Sequence, residues 1–392
     1  MNHPLFMRAR TPFSSLASSL RRVLILCLLP LALAGCDLFG EDDDESVVTT
    51  GALVANSGNF TAQDGSLTIF NPEDTTAALN DIEVGYIQSI HVRDNRLFVV
   101  DNNQSSGRVT IFDATSLTPV DQIENPEGLP PLSIAFASDE KAYVTNQNLD
   151  RDFSPIPSSV SVIELANDTL AADTVATTIP VGRGPRGIAA TGNRAFVANG
   201  ADGTLSVIDT DTDTVSETVD LNCAGPNEVF VDGENEVVVV CQGSSEEPGE
   251  ILFLDSASRQ VQDRISLSAS VGSANGTQSA YYSRIAEELY AIDGGGFAAE
   301  GSGRIFRVDT RGNILDTTLT VPDSPVLTRM TAVGYDAITQ NLYVSRLPLG
   351  DGGGPSFTAS GSAVVLDRRG ELEQTFPVGI SPGYIDFLRD TR

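Results

Sequence analysis

The chain has 392 residues, is 41% hydrophobic, lacks Trp and carries 35 Gly and 20 Pro. That length suits one large domain or two ordinary ones, and the abundance of turn formers argues against long helices. Fifty-three acidic against 24 basic residues leave a net charge of -29, which excludes nucleic acids and anionic lipid surfaces as partners bound through charge.

At the N-terminus, Arg8, Arg10, Arg21 and Arg22 precede the apolar run VLILCLLPLALAG, Val23 to Gly35. The run is too short to span a bilayer comfortably and has the flanks of a secretory signal. Met7 is an alternative start that shortens the basic region. The run leads into LAGC, Leu33 to Cys36, which resembles the lipobox of bacterial lipoproteins. The resemblance implies that Cys36 is lipidated and becomes the first mature residue. The acidic stretch DLFGEDDDES follows and reads as a solvated tether. It is similar to the signal after the lipidated Cys in surface-exposed lipoproteins of the Bacteroidetes group; a plain flexible tether is the alternative. Residues 1–35 are thus expected to be a signal peptide, 36–50 a tether and 51–392 the folded domain. The protein is expected to be exported and lipid-anchored to the outer membrane, at the cell surface.

From Ala52 onward one phrase recurs. It stands as ALVANS from Ala52, LFVVDN from Leu97, AYVTNQ from Ala142 and AFVANG from Ala195, then VVVVCQ from Val237, LYAIDG from Leu289 and LYVSRL from Leu342. The seven starts are spaced by 45, 45, 53, 42, 52 and 53 residues. Each copy is followed by a second apolar strand, such as SLTIFN from Ser66 or TLSVID from Thr204, and then by a polar turn and a third strand. A further strand precedes each phrase, as RGIAAT precedes NRAFVANG. Four short strands in roughly 40–50 residues match a propeller blade, and strands apolar on both faces suit blades that stack on one another. The expected fold is all-β: a seven-bladed β-propeller of four-stranded blades. In the strand order a, b, c, d, the folded part begins with a b-strand at Ala52 and ends with an a-strand, GYIDFL, Gly383 to Leu388. The last strand should therefore complete the first blade and close the ring.

AYVTNQ…SVSVIE and AFVANG…TLSVID resemble the YVTN-type propeller repeat of surface-layer and related secreted proteins. VANSGNFTAQDGSLTIFN and CAGPNEVFVDGENEVVVVCQG are similar to a narrower family of Bacteroidetes lipoprotein propellers. The resemblance covers roughly Gly51 to Leu388. Some members of that wider group are surface lipoproteins that capture corrinoids, the vitamin B12 class, and pass them to an outer-membrane transporter. The resemblance implies the same ligand class here as an expectation.

A ligand is expected at the face shared by the d–a and b–c connections. The a-strand starts place Gln88, Leu132, Arg186, Asn227, Gln278, Arg329 and Gly383 in one ring there. The b-strand ends give a second ring of Asn56, Asp101, Asn146, Asn199, Cys241, Asp293 and Arg346. Polar strand ends also serve as turn formers and backbone partners, which is the competing explanation. Tyr86 and Tyr384 lie near the expected mouth and suit stacking on a planar ligand. The longest b–c loops run from Asn148 to Ser158, Gly243 to Glu250, Gly294 to Gly303 and Leu347 to Gly361, and they carry Phe153, Phe297 and Phe357.

Catalytic chemistry is sparse. The mature chain holds one histidine, His91, expected as a structural strand residue. Triads and His or Cys metal clusters therefore lack their parts, and no cofactor or metal is expected. Cys223 and Cys241 flank a hairpin that turns at Asp232–Asn235 and faces Pro226 with Cys241, so a disulfide between them suits an exported chain. Lys141 is the only lysine; an acidic, Arg-based surface suits high salt, and a GC-rich genome explains the Arg bias equally. The expected function is non-enzymatic binding of a small ligand, a corrinoid or another nutrient. A protein- or glycan-binding role in surface assembly is the second reading, and a lactonase-like or quinoprotein-like enzyme the third.

Overall fold

Strand c of most repeats ends in Asp because that side chain builds the turn into strand d. In the computed structural model, Asp209 Oδ1 accepts the backbone N–H groups of Asp211 and Thr212. Asp113, Asp255 and Asp367 do the same for Ser116, Ser258 and Arg369, the local bonding that favours Asp in turns. The structure describes residues 47–102, 107–166, 172–274, 276–293, 303–319 and 328–391. The signal segment, Cys36 and Phe297 lie outside them.

Among the described residues, 28 strands run from β1 (Val47–Asn56) to β28 (Pro382–Thr391) and form seven four-stranded sheets. The protein is a seven-bladed β-propeller. In the blade that holds RAFVANG, β12 (Pro185–Thr191), β13 (Arg194–Asn199), β14 (Thr204–Asp209) and β15 (Thr214–Asp220) lie side by side in chain order. The other inner strands are β4 (Tyr86–Arg93), β8 (Pro131–Phe136), β16 (Pro226–Val231), β20 (Ala280–Ser283), β24 (Met330–Asp336) and β28.

Seven apolar clusters fill the spaces between neighbouring blades. In one of them Phe196 and Val207 of one sheet meet Val237 and Leu252 of the next. Burial on both faces explains why the central strands read as continuous apolar runs, and each such side chain contributes about 1.5–3 kcal/mol. Ring closure follows the expected route: β28 pairs antiparallel with β1, and Phe70 of that sheet stacks on Phe376 of the neighbouring blade at 4.6 Å. Pairing begins earlier than expected. Val47, Val48 and Thr49 pair with Thr391, Asp390 and Arg389, so the stretch from Val47 to Thr50 is strand and not tether. The end of the last strand recruits those residues because its backbone groups need partners.

Candidate functional site

Each inner strand offers its sheet partner one edge and leaves the other facing the channel. Six of them shift register near their first pair, between Ile87 and Ser89, Pro131 and Ile134, Pro185 and Ile188, Pro226 and Glu228, Met330 and Ala332, and Pro382 and Tyr384. Such bulges twist the strand and re-aim its side chains. Gln88, Leu132, Arg186, Asn227, Gln278 and Gly383 do fall at equivalent places around the ring. Arg329 does not. The pair Met330↔Arg346 puts Thr331 at that place, while Arg329 precedes the strand at a φ of 54°, buried, with Nε donating to the Leu347 carbonyl at 3.1 Å.

Much of this ring bridges neighbouring inner strands. Asn227 is buried and donates to Ser279 Oγ at 2.9 Å. The Gln278 amide accepts from Ile385 N at 3.0 Å and donates to Ile385 O at 3.4 Å. Arg186 and Gln88 remain half-buried. Among the described residues the Arg186 guanidinium has no hydrogen bond and no carboxylate at ion-pair distance; only its carbonyl is engaged, by Thr145.

Much of the second ring is engaged inside the fold. Asn56, Asp101, Asn146, Asn199 and Cys241 are fully buried. Asn56 binds Ser66 and Thr68 and receives the Gly379 N–H. Asn146 and Asn199 hold Ser161 and Ser206 in the same way. Asp101 accepts the Gly85 N–H at 2.6 Å and pairs with Arg108 at 3.0 Å; burial still makes its carboxyl a weaker acid than usual. Asp293 bridges to Gly272. Burial holds the Arg346 guanidinium below its usual range, with the Arg329 charge adding to the effect. Cys223 and Cys241 form the expected disulfide, and Pro226 pairs with Cys241.

The cavity lies at the other end of the channel from the expected face. About 660 Å³ opens among the later halves of β4, β8, β12, β16, β20 and β28, where the a–b turns emerge. β24 is excluded and buried throughout. A Cβ at Gly334 would come within 2.5 Å of Ile385, so glycine there lets β28 close over β24. Glu228 and Tyr384 line the cavity at its inner end. Glu228 Oε1 accepts the Ser279 N–H at 3.1 Å. Burial raises its carboxyl to about 7, opposed by that hydrogen bond and by the Arg186 charge. The carboxyl lies deep in the protein, yet water reaches it through the channel. The Tyr384 hydroxyl is raised by burial and by the Glu228 charge, with Arg186 opposing. Tyr86 stands nearby, with Phe60 edge-on at 5.7 Å.

Toward the open end, His91 faces the cavity and packs against Phe136 at 5.1 Å. Desolvation lowers its basicity; Asp386 opposes this and Arg93 adds to it. Asp386 accepts the Val92 N–H at 2.8 Å. The Arg93 guanidinium lies 4.8 Å over Phe136 and bonds the Ser138 carbonyl at 3.1 Å. Glu228, Asp386 and Gln278 thus cap backbone donors on channel-facing edges. Glu228 and Asp386 escaped sequence reasoning, because only inter-strand distances reveal that task. His91 was legible as a strand residue but not as a cavity wall. No group of three metal-binding side chains converges among the described residues.

The opposite face carries two matching b–c hairpins. Leu149 bridges to Pro155 and Leu349 to Pro355. Asp150 N bonds Ser154 O at 3.0 Å, and Gly350 N bonds Gly354 O at 2.8 Å. Phe153 occupies a φ of 59° where the twin has Gly353 at 79°, and it is 83% exposed.

No family model matches the chain, and no curated protein does. Solved structures share the fold. A protein from Lactobacillus plantarum is 14% identical, with a TM-score of 0.62 over 87% of this chain and 100% of its own. A candidate 6-phosphogluconolactonase from Bacteroides fragilis is 14% identical, with a TM-score of 0.61 over 89% and 99%. Kuenenia stuttgartiensis hydrazine synthase is 15% identical, with a TM-score of 0.58 over 78% and 95%. At these identities the likeness concerns the propeller alone.

Proposed function

We propose that this propeller is a non-enzymatic, exported lipoprotein that binds a small ligand in its central channel and hands it to an outer-membrane transporter. The ligand class we favour is the corrinoids. The observation that carries the reading is the cavity of about 660 Å³ in the central channel, on which His91, Glu228, Gln278 and Tyr384 converge. Convergent polar groups and aromatic rings in one concave site favour a small molecule. The LAGC segment and the YVTN-type repeats support export and anchoring. β1 begins at Val47 beside the end of β28, the end at which the cavity opens.

Calorimetry and visible spectroscopy with cobalamin and cobinamide test the ligand class. Saturable uptake by the wild-type protein, weakened in Tyr384→Ala, is the expected outcome; no uptake refutes it. Labelled palmitate incorporation that Cys36→Ala abolishes tests the anchor. A second reading, a protein- or glycan-binding surface on the far face, draws on Phe153. A phenyl ring held exposed in a backbone conformation that favours glycine suits contact with a partner. Loss of a specific cell-surface partner on Phe153→Asp would favour it.

A further inference from the structure

We infer that the open end of the channel is a cationic rim, where Arg284 and Arg389 take an oxyanion group of a ligand whose uncharged ring body lies deeper between the inner strands. The inference rests on the reading of the channel as a binding site and names the charge and the orientation of what it takes.

The rim reverses the composition of the chain. Acids outnumber bases 53 to 24 over the sequence, yet the cavity wall carries Arg93, Arg284 and Arg389 against Glu228 and Asp386. Arg93 ends β4, Arg389 lies near the end of β28, and Arg284 opens the turn after β20. Printed contacts gather these three ends. The Val92 N–H bonds Asp386 Oδ2 at 2.8 Å and ties β4 to β28. Arg389 lies 5.6 Å over the Phe387 ring. Tyr281, on the strand that leads into Arg284, packs edge-on against the same ring at 5.8 Å.

The carboxylates nearby are already engaged. The second oxygen of Asp386 accepts the Phe387 N–H at 2.8 Å, and Glu228 holds the Ser279 N–H at the inner end. Asp336 comes within 3.9 Å of Arg389, too far for a hydrogen bond. It instead accepts Thr49 Oγ1 at 2.8 Å and Thr339 Oγ1 at 2.6 Å. Arg93 is offset by Asp94 at 3.1 Å and by Asp139, and it serves as wall. Arg284 is exposed at the rim and, among the described residues, has neither a hydrogen bond nor a carboxylate at ion-pair distance. Arg284 and Arg389 thus keep guanidinium donors to spare, and their planar fork matches an oxyanion. Farther in, the wall is uncharged: Phe230, Tyr281 and Tyr282 stand beside Ala135, Gly187 and Ala189. Aromatic rings next to small side chains suit a flat ring body.

Anilinonaphthalene sulfonate and phenylnaphthylamine are the probes, because they share one ring body and differ by a sulfonate of constant charge. Fluorescence titration reads both affinities. The sulfonate dye should bind at least about tenfold more tightly than the uncharged one. Arg284→Gln and Arg389→Gln should each weaken the sulfonate dye by about tenfold and leave the uncharged dye unchanged. Arg284→Lys should weaken it less. Arg284→Gln carries the test even where Arg389→Gln fails to fold, since Arg284 makes no hydrogen bond among the described residues. Arg151→Gln, at another exposed arginine on the far face, should change neither dye. Ala189→Phe fills the cavity and should exclude both. Preferential displacement of the sulfonate dye by naphthoate or by naphthyl phosphate assigns the oxyanion as carboxylate or phosphate; displacement by neither overturns the rim. Equal affinity for the two dyes, sulfonate binding indifferent to Arg284→Gln, or an equal loss in Arg151→Gln also overturns the rim. If Ala189→Phe still excludes both dyes in those cases, the channel reading stands. Binding of neither dye, or of both regardless of Ala189→Phe, removes the channel reading and the rim with it.

Discussion

Glu228→Gln should stabilise the propeller in alkali and do little in acid. Burial lifts the Glu228 carboxyl from an ordinary 4.5 to about 7. Each unit is worth about 1.4 kcal/mol, so full burial would correspond to roughly 3 kcal/mol. Water reaches the carboxyl through the channel, and the contribution is better set at about 1–2 kcal/mol. The direction follows from proton counting. Between the two values the folded chain keeps a proton that the unfolded chain has released, so the wild type loses stability as pH rises from about 4.5 to about 7. Gln keeps the acceptor for the Ser279 N–H and carries no charge to bury. Urea unfolding of both proteins at pH 5 and pH 8, at one ionic strength, checks this. The variant should match or fall slightly below the wild type at pH 5 and exceed it by about 1–2 kcal/mol at pH 8. A difference that is the same at both pH values would refute the reasoning.

The disulfide closes a separation of 18 residues, so Cys223→Ser with Cys241→Ser should cost about 3 kcal/mol; an unfolding midpoint unmoved by reductant in the wild type would contradict this. Gly187→Ala forces a methyl onto the backbone of Asn227 and Glu228 and should destabilise by about 2–4 kcal/mol. Denaturant titration reads that change, and a neutral effect would mean that β12 and β16 are not in close approach. The charge of -29 should make stability rise with salt, since self-repulsion is screened within about 3 Å at 1 M. Thermal melts from low to molar sodium chloride test this, and a flat or falling midpoint counts against it.

Most of the architecture was legible because it is local and repeated. Apolar runs bounded by Asp-rich turns mark strands, and Asp209 and its equivalents are turn-forming in sequence and structure alike. The order of strands at the two ends implied the pairing of β28 with β1. The hairpin register put Cys223 and Cys241 at the same end of one blade, where the disulfide closes. The expected ring at the strand ends read differently once packed, because Asn56, Asn146 and Asn199 find partners within their own blades. Their type marked a polar position without saying who receives the hydrogen bond. Arg329 missed its place because the register shift in β24 moves the equivalence to Thr331.

The sequence by itself determined the number of blades and the closure of the ring, since periodicity and strand order are properties of the chain alone. Which end of the channel opens was decided only by tertiary structure. It depends on how closely inner strands from distant parts of the chain approach: β28 over β24 at Gly334, and β12 against β16 at Gly187. Glu228 acquires its chemistry in the same way, from Ser279, Arg186 and Tyr384 across three separate blades. A run of neighbours in sequence carries no record of those distances.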